Sequence, residues 1–186
     1  MFDFCCPSGF EYLPDWISQS EEDVLLRNIG SLLFEEVRMH GVVAKRQVVH
    51  FGWDYGYETW SIKRTRPLPA WLIPFRNRAA FLLKREPEVI EQALISRYPV
   101  GAGIGWHRDA PMFGPAVVGF SLFGTCRMRF QRNRNGQREV AACLLEPRSA
   151  YVLREEARVS WQHCISPTKE LRYSVTFRTL KESQLA

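Results

Sequence analysis

The tripeptide His107-Arg108-Asp109 offers two side chains that can bind a metal ion, and His163 offers a third farther along the chain. Two imidazoles and one carboxylate form the ligand set that holds non-haem Fe(II) and leaves the opposite positions open. Residues i and i+2 of an extended segment project to the same side, so His107 and Asp109 can share one ion. The triplet alone is common by chance. With the distant histidine it predicts a metal site at His107, Asp109 and His163.

The segment 172–178 alternates polar and apolar side chains. If it forms one strand, Arg172, Ser174, Thr176 and Arg178 share a face. Two arginines on a buried face are costly without an anionic partner, and guanidinium groups pair bidentately with carboxylates. The pattern therefore fits a dicarboxylate ligand. An edge strand with its polar face in water fits the same pattern, and the metal donors upstream favour the ligand.

The first half of the chain favours helices. Ser18 and Glu21 have the spacing of a capping box. Apolar residues then recur every three to four positions as far as Val37, and Gly41 is the expected stop, which predicts one helix from Ser18 to about Gly41. A second helix is predicted over 70–85, where a proline distorts the first turn.

The second half favours short strands. Asn135-Gly136 is a hairpin turn signal. Helices followed by many short strands are typical of an α+β domain with a β-sandwich or barrel core. Strands are predicted over 42–51, 94–98, 117–123, 127–132, 139–145, 150–153, 161–165 and 171–180, with an aromatic loop or hairpin over 52–57.

Length and composition fit one globular domain of 186 residues. The net charge of +5 is compatible with a polyanionic partner, but an ordinary solvated basic face explains it equally well. Five cysteines without a C-x-x-C pair favour reduced thiols. The absence of a long apolar run and of a secretory signal predicts a cytoplasmic protein without a membrane partner.

The motifs resemble the AlkB family of Fe(II)/2-oxoglutarate-dependent dioxygenases. The family closes on the pattern R-x-N-x-T-x-R, and this chain carries R-Y-S-V-T-F-R. The resemblance covers roughly 40–180, and its C-terminal half is the specific part. The matching segments are 95–101, 104–109, 118–122, 128–130, His163 and 172–178.

The resemblance implies a single domain, 1–186, with a double-stranded β-helix (jelly-roll) core. Residues 1–90 would supply N-terminal helices and a substrate-recognition lid, and residues 91–186 the catalytic core. The implied cofactors are Fe(II), 2-oxoglutarate and O2. Arg172 would pair with the distal carboxylate of 2-oxoglutarate, and Tyr98 would hydrogen-bond the same cosubstrate. Arg178 would lie near its C1 carboxylate. Ser96 and Ser174 stand where the family has asparagine. Because the serine side chain is shorter, it would reach less far towards 2-oxoglutarate.

The activity implied by the resemblance is oxidative dealkylation of N-alkylated nucleobases in DNA or RNA, which is repair of alkylation damage. The same iron chemistry on tRNA, other RNA or a protein side chain is the alternative, and a non-catalytic binding module is a third. Pro111 stands where base-repair members often carry an acidic residue, which leaves the substrate open. We expect a monomer that binds nucleic acid, in the cytoplasm or, for a DNA substrate, at the nucleoid or in the nucleus. The aromatic residues expected to stack on the substrate are Trp53, Tyr55, Tyr57 and Trp60.

Overall fold

The computed structural model describes residues 6–39, 41–56 and 61–181. Its helices are α1 (Gln19–Gly30), α2 (Ile73–Leu83) and α3 (Glu155–Val159). Its strands are β1 (Phe10–Leu13), β2 (Glu35–Met39), β3 (Val42–Phe51), β4 (Trp53–Gly56), β5 (Ser61–Arg64), β6 (Ile90–Tyr98), β7 (Ile104–His107), β8 (Phe113–Leu122), β9 (Cys126–Arg134), β10 (Gln137–Leu145), β11 (Ala150–Leu153), β12 (Gln162–Ile165) and β13 (Arg172–Leu180). No helix in these ranges is long and apolar enough to cross a membrane.

The first helix begins where the sequence predicts and ends eleven residues early. The capping box forms, because Ser18 and Glu21 exchange side-chain-to-backbone hydrogen bonds. The predicted end near Gly41 is wrong, since α1 ends at Gly30 and the chain then enters β2. Beyond Gly30 the apolar residues do not share a stripe: Leu33 is 85% exposed, whereas Val37 is 3% exposed on a strand paired with β3.

The strands form two large antiparallel sheets. The major sheet has the order β1-β11-β8-β13-β6-β3-β2, and the minor sheet has the order β10-β9-β12-β7. The hairpin β4–β5 stands apart from both. Three strands of the major sheet come from the first ninety residues, so the N-terminal region contributes to the sheet as well as to the helices.

The two faces of the major sheet contact different partners. On its outer face, α1 and α2 pack Leu25, Ile29 and Phe75 against buried strand residues such as Val175 and Phe177. On its inner face, buried residues of the major sheet meet those of the minor sheet. The inner face is therefore enclosed between two sheets, and the predicted site residues lie on it.

The predicted turn and second helix are confirmed. Asn135 and Gly136 have φ values of 51° and 78° and join β9 to β10, as a two-residue turn with positive φ at both positions requires. A 3-10 turn over Ala70–Leu72 leads into α2, whose first turn contains Pro74. The short helix α3 is not predicted from the sequence.

Candidate metal and dicarboxylate site

The three predicted metal donors lie side by side at one end of the minor sheet. His163 on β12 is directly opposite His107 on β7, and their ring centroids are 4.3 Å apart. Asp109 follows two residues after His107, and its Oδ2 lies 3.8 Å from Nε2 of His163. Pairing of β7 with β12 thus brings together residues that are 56 positions apart in the chain.

Both imidazoles are held in the neutral form that a metal ion requires. His107 Nδ1 lies 2.8 Å from the carbonyl oxygen of Gly105, a contact in which Nδ1–H donates and Nε2 keeps its lone pair. Burial lowers the pKa of His107. Burial, reinforced by the neighbouring His107, lowers the pKa of His163 to about 3. His163 Nδ1 is buried with no hydrogen-bond partner among the described residues.

Asp109 is ionised although it is buried. Burial opposes its charged form, but electrostatic interactions with the neighbouring His163 side chain and with the guanidinium groups of Arg178 and Arg158 outweigh that effect and lower its pKa to about 2. Arg178 Nη1 donates to Asp109 Oδ1 at 3.3 Å. The carboxylate is therefore available as an anionic oxygen ligand beside two neutral nitrogen donors.

The donor chemistry fits Fe(II), and the three side chains contact one another in pairs. In the described part of the chain, no three His, Cys, Asp or Glu side chains already surround one point closely enough to hold an ion. His107, Asp109 and His163 are nevertheless the described side chains whose donor types fit the ion.

A cleft of about 1120 Å³ opens beside these donors, between the inner faces of the two sheets. It holds both histidines and Asp109 together with polar residues of three strands of the major sheet. From β3, β6 and β13 come Arg46, Ser96, Tyr98, Ser174, Thr176 and Arg178. The volume is ample for a dicarboxylate and leaves room for part of a second molecule.

The polar face of β13 is buried, so the edge-strand alternative is wrong. Arg172, Ser174, Thr176 and Arg178 are 1%, 4%, 9% and 5% exposed, and β13 lies between β8 and β6. The alternation predicted from the sequence is confirmed, since Val175 and Phe177 point to the opposite face. Each of these four buried polar side chains requires a hydrogen-bond or ionic partner.

Arg172 lies one layer behind the cleft. Its Nε donates to Ser121 Oγ at 3.1 Å, and its guanidinium lies 4.9 Å from the ring centre of Tyr98, which does line the cleft. Its Nη1 is buried without a hydrogen-bond partner among the described residues. A guanidinium so placed can reach a carboxylate that enters past Tyr98.

The sequence did not identify two further buried arginines of the cleft as site residues. Arg46 on β3 donates from Nη1 to Ser96 Oγ at 3.2 Å. Arg158 on α3 donates to the carbonyl oxygens of Asp109 and Ala110 at 3.2 and 3.0 Å. Arg46 shares a strand face with Val48 and His50, and that pattern is a usable signal. Arg158 has none, because α3 itself is not predicted.

The expected substrate-stacking aromatics are described only in part. Trp53 on β4 is half-buried and packs on the cluster of Met112, Phe113 and Leu180, with Arg64 4.9 Å above its ring. Trp53 is not among the residues that line the cleft in the described structure. Tyr55 lies on β4, and nothing is described of its side chain. Tyr57 and Trp60 lie outside the described residues.

Comparison with known proteins identifies the family of this chain. Residues 9–178 match the family model of the 2OG-Fe(II) oxygenase superfamily. A solved structure of OsALKBH1 superimposes with a TM-score of 0.72 at 16% identity, covering 92% of this chain and 96% of that chain. That likeness concerns the fold alone. It confirms the predicted α+β architecture with a jelly-roll core.

Proteins of similar sequence include relatives from animals and a plant. The chain is 29% identical over 170 residues to the tRNA (carboxymethyluridine(34)-5-O)-methyltransferase alkbh8 of Xenopus tropicalis, covering 88% of this chain and 26% of the relative. It is 28% identical over 181 residues to the Alkylated DNA repair protein ALKBH8 homolog of Arabidopsis thaliana, covering 84% of this chain and 50% of the relative. It is 24% identical over 126 residues to the Probable RNA/DNA demethylase ALKBH6 of Danio rerio, covering 68% and 51%. The chain thus spans about half or less of the length of these relatives.

Proposed function

Because this chain belongs to the 2OG-Fe(II) oxygenase superfamily, and within it to the AlkB family, we propose that it removes alkyl groups oxidatively from nucleobases of DNA or RNA. The family requires Fe(II), 2-oxoglutarate and O2. We assign the iron to His107, Asp109 and His163. The observation that carries this assignment is the ionised Asp109, buried beside two neutral histidines and next to Arg178.

The cosubstrate is assigned to the polar inner face of β13 and β6. Arg172 would pair with the distal carboxylate of 2-oxoglutarate, with Tyr98 as a second donor. Arg178 would lie near the C1 carboxylate. Ser174 lies opposite both Ser96 and Ser121 in the strand register. The three serines therefore form a row across β6, β13 and β8, at a position between Arg172 and Arg178 along β13.

The protein's part in the reaction is to position and shield. When bound, iron and 2-oxoglutarate react with O2 to give succinate, CO2 and an oxidant that hydroxylates a substrate C–H bond. Arg158 fixes the backbone after Asp109, and Arg178 fixes its carboxylate. If the hydroxylated carbon is bonded to a base nitrogen, the product releases formaldehyde and the free base.

A nucleobase substrate is supported by the names of the relatives, one a DNA repair protein homologue and one a probable RNA/DNA demethylase. Trp53, Tyr55, Tyr57 and Trp60 stay the residues predicted from the sequence to stack on the substrate. Modification of tRNA by the same chemistry is the second candidate. The frog relative, whose name is that of a tRNA-modifying enzyme, favours it. A cytoplasmic or nuclear location and a monomeric state stay predictions.

The iron assignment is tested by Asp109→Ala. Loss of a metal ligand should lower succinate formation by more than about 100-fold, because even partners outside the ligand set typically change activity by 10–100-fold. Asp23→Ala, on the exposed side of α1, is the matched control and should keep wild-type turnover. Succinate formation that survives Asp109→Ala would show that the assignment is wrong.

The substrate is tested by product detection. Wild-type protein with Fe(II) and 2-oxoglutarate should release formaldehyde from one of methylated single-stranded DNA, methylated duplex DNA or methylated RNA. Hydroxylation of tRNA nucleosides without formaldehyde, detected by mass spectrometry, would favour the second candidate. Succinate formation with neither product would contradict a nucleic-acid substrate.

A further inference from the structure

A buried glutamine joins two parts of the molecule that the sequence does not connect. Gln92 on β6 lies directly opposite Arg178 on β13 and is 0% exposed. Its Oε1 accepts a hydrogen bond from Arg178 Nε at 2.8 Å. Its Nε2 donates to the carbonyl oxygen of Trp53 at 3.2 Å and lies 3.4 Å from His50 Nδ1. One amide group therefore contacts both the site arginine and the first residue of the β4–β5 hairpin.

The orientation of the amide determines the tautomer of His50. Because Oε1 faces Arg178, the NH2 group faces His50, so His50 Nδ1 accepts and Nε2 carries the hydrogen. That Nε2 lies 3.4 Å from Asp54 Oδ1, which is also on β4. The hairpin strand is thus tied to the sheet at Trp53 through Gln92 and at Asp54 through His50.

The other end of the bridge reaches the candidate metal ligand. Arg178 Nη1 donates to Asp109 Oδ1 at 3.3 Å, and the guanidinium lies 3.9 Å from the ring centre of Phe113. The ring packs against the guanidinium, and Gln92 is one of the groups that fix its position, through the hydrogen bond from Nε.

We propose that Gln92 is a positioning residue that couples the β4–β5 hairpin to the carboxylate of Asp109. The inference rests on the proposed function, in which Asp109 binds iron and the hairpin meets the substrate. Movement of Trp53 displaces the Gln92 amide, and the displaced amide changes the orientation of the Arg178 guanidinium relative to Asp109. By linkage the coupling acts in both directions, so that an ion bound at Asp109 stabilises the hairpin.

An amide is the side chain that this position requires. It accepts from Arg178 and donates to Trp53 and His50 at the same time. Gln92→Glu keeps an acceptor for Arg178, now charged, and loses both donors. Gln92→Leu loses all three contacts at similar volume. The two variants therefore separate the arginine side of the bridge from the hairpin side.

The test follows two quantities: hydrogen exchange of the backbone amides of Trp53–Gly56, and the affinity for Fe(II) measured without O2. Loss of the hydrogen bond from Gln92 to the carbonyl oxygen of Trp53 in Gln92→Leu should speed exchange about fivefold in the metal-free protein. Loss of the support behind Asp109 should weaken Fe(II) binding about tenfold. Fe(II) should slow exchange of Trp53–Gly56 in wild type and no longer do so in Gln92→Leu.

Gln47→Leu is the matched control. Gln47 lies on the neighbouring strand β3, accepts from Arg97 Nη1 at 3.3 Å, and is not among the residues that line the cleft. It should change neither quantity. Gln92→Glu should speed exchange of Trp53–Gly56 and keep the affinity for Fe(II). If Gln92→Leu does not fold, the result for Gln92→Glu tests the coupling in its place.

Wild-type values of both quantities in Gln92→Leu would overturn the coupling, as would equal losses of both in Gln92→Glu and Gln47→Leu. Failure of the proposed function is a separate result, in which wild-type protein does not bind Fe(II). Exchange of Trp53–Gly56 in the metal-free variants then tests the hairpin side of the bridge by itself. Faster exchange in both Gln92 variants supports it, and unchanged exchange refutes it.

Discussion

The two faces of the major sheet are equally buried and chemically opposite. On the outer face, Val175 and Phe177 of β13 are fully enclosed under α1 and α2. On the inner face, Arg172 and Arg178 of the same strand are enclosed beneath the minor sheet. The difference arises from strand alternation, which sends every second side chain to the other side.

The energetic roles of the two faces also differ. Burying one phenylalanine stabilises a fold by about 1.5–3 kcal/mol, whereas enclosing a charged group costs several kcal/mol unless partners offset it. Serine hydroxyls, Gln92 and Asp109 offset part of that cost for the arginines. We conclude that the outer face stabilises the fold and that the inner face is organised for an anionic ligand.

The largest effect on stability is expected on the outer face. Phe177→Ala should lower the free energy of unfolding by about 3–5 kcal/mol, because the helices cannot close the cavity that it leaves. Denaturant titration measures the loss. The fraction that stays folded should keep the KM of the wild type for 2-oxoglutarate. A raised KM would mean that the two faces are not independent.

Acidification should lower the free energy of unfolding because a histidine is buried on the inner face. Burial lowers the pKa of His50 to about 4, with Asp54 opposing and Arg178 and Arg46 reinforcing the shift. Below pH 6.5 the His50 side chain is protonated in the unfolded chain but stays neutral in the folded protein, so the free energy of unfolding falls as the pH drops towards 4. The total fall that His50 contributes is about 3 kcal/mol.

Unfolding of metal-free protein at pH 7 and pH 4 measures this contribution. His107 and His163 also have lowered pKa values and add to the same fall. The difference between wild type and His50→Gln therefore isolates His50, and the variant should lose about 3 kcal/mol less on acidification. An equal loss in both proteins would show that His50 is not the group that resists protonation.

A smaller and more selective effect is expected for Arg172→Met. Losing a bidentate, charge-assisted contact should raise the KM for 2-oxoglutarate about 10–100-fold, which corresponds to about 1.4–2.8 kcal/mol. Stability without ligand should stay level or rise, because a buried charge is replaced by an apolar side chain of similar length. A KM that does not change would remove Arg172 from the ligand site.

The sequence predicts the inner face well because its signals are local. The alternation of β13, the spacing of His107 and Asp109, and the turn at Asn135 each depend on residues close together in the chain. Strand β13 and the turn at Asn135 are present in the structure, and β7 ends at His107, two residues before Asp109. Strand alternation and turn geometry are properties of the local backbone, so they do not depend on which distant segments pack against them.

The parts that the sequence does not predict depend on distant partners. The sequence predicts a first helix that continues past Gly30, because Leu32, Leu33 and Val37 continue a helical spacing. Pairing of β2 with β3 overrides that spacing. Arg158 and Gln92 become site neighbours only when α3 and β6 meet Asp109 and Arg178 in space. No local pattern contains that information.

We propose that iron and 2-oxoglutarate bind together on the inner face, and titration of the wild-type protein with Fe(II) and 2-oxoglutarate in the absence of O2 tests this binding. We expect a weak metal-to-ligand charge-transfer band in the visible range, which saturates with 2-oxoglutarate and is absent in Asp109→Ala. Folded wild-type protein that shows no such band at saturating concentrations of both would contradict it.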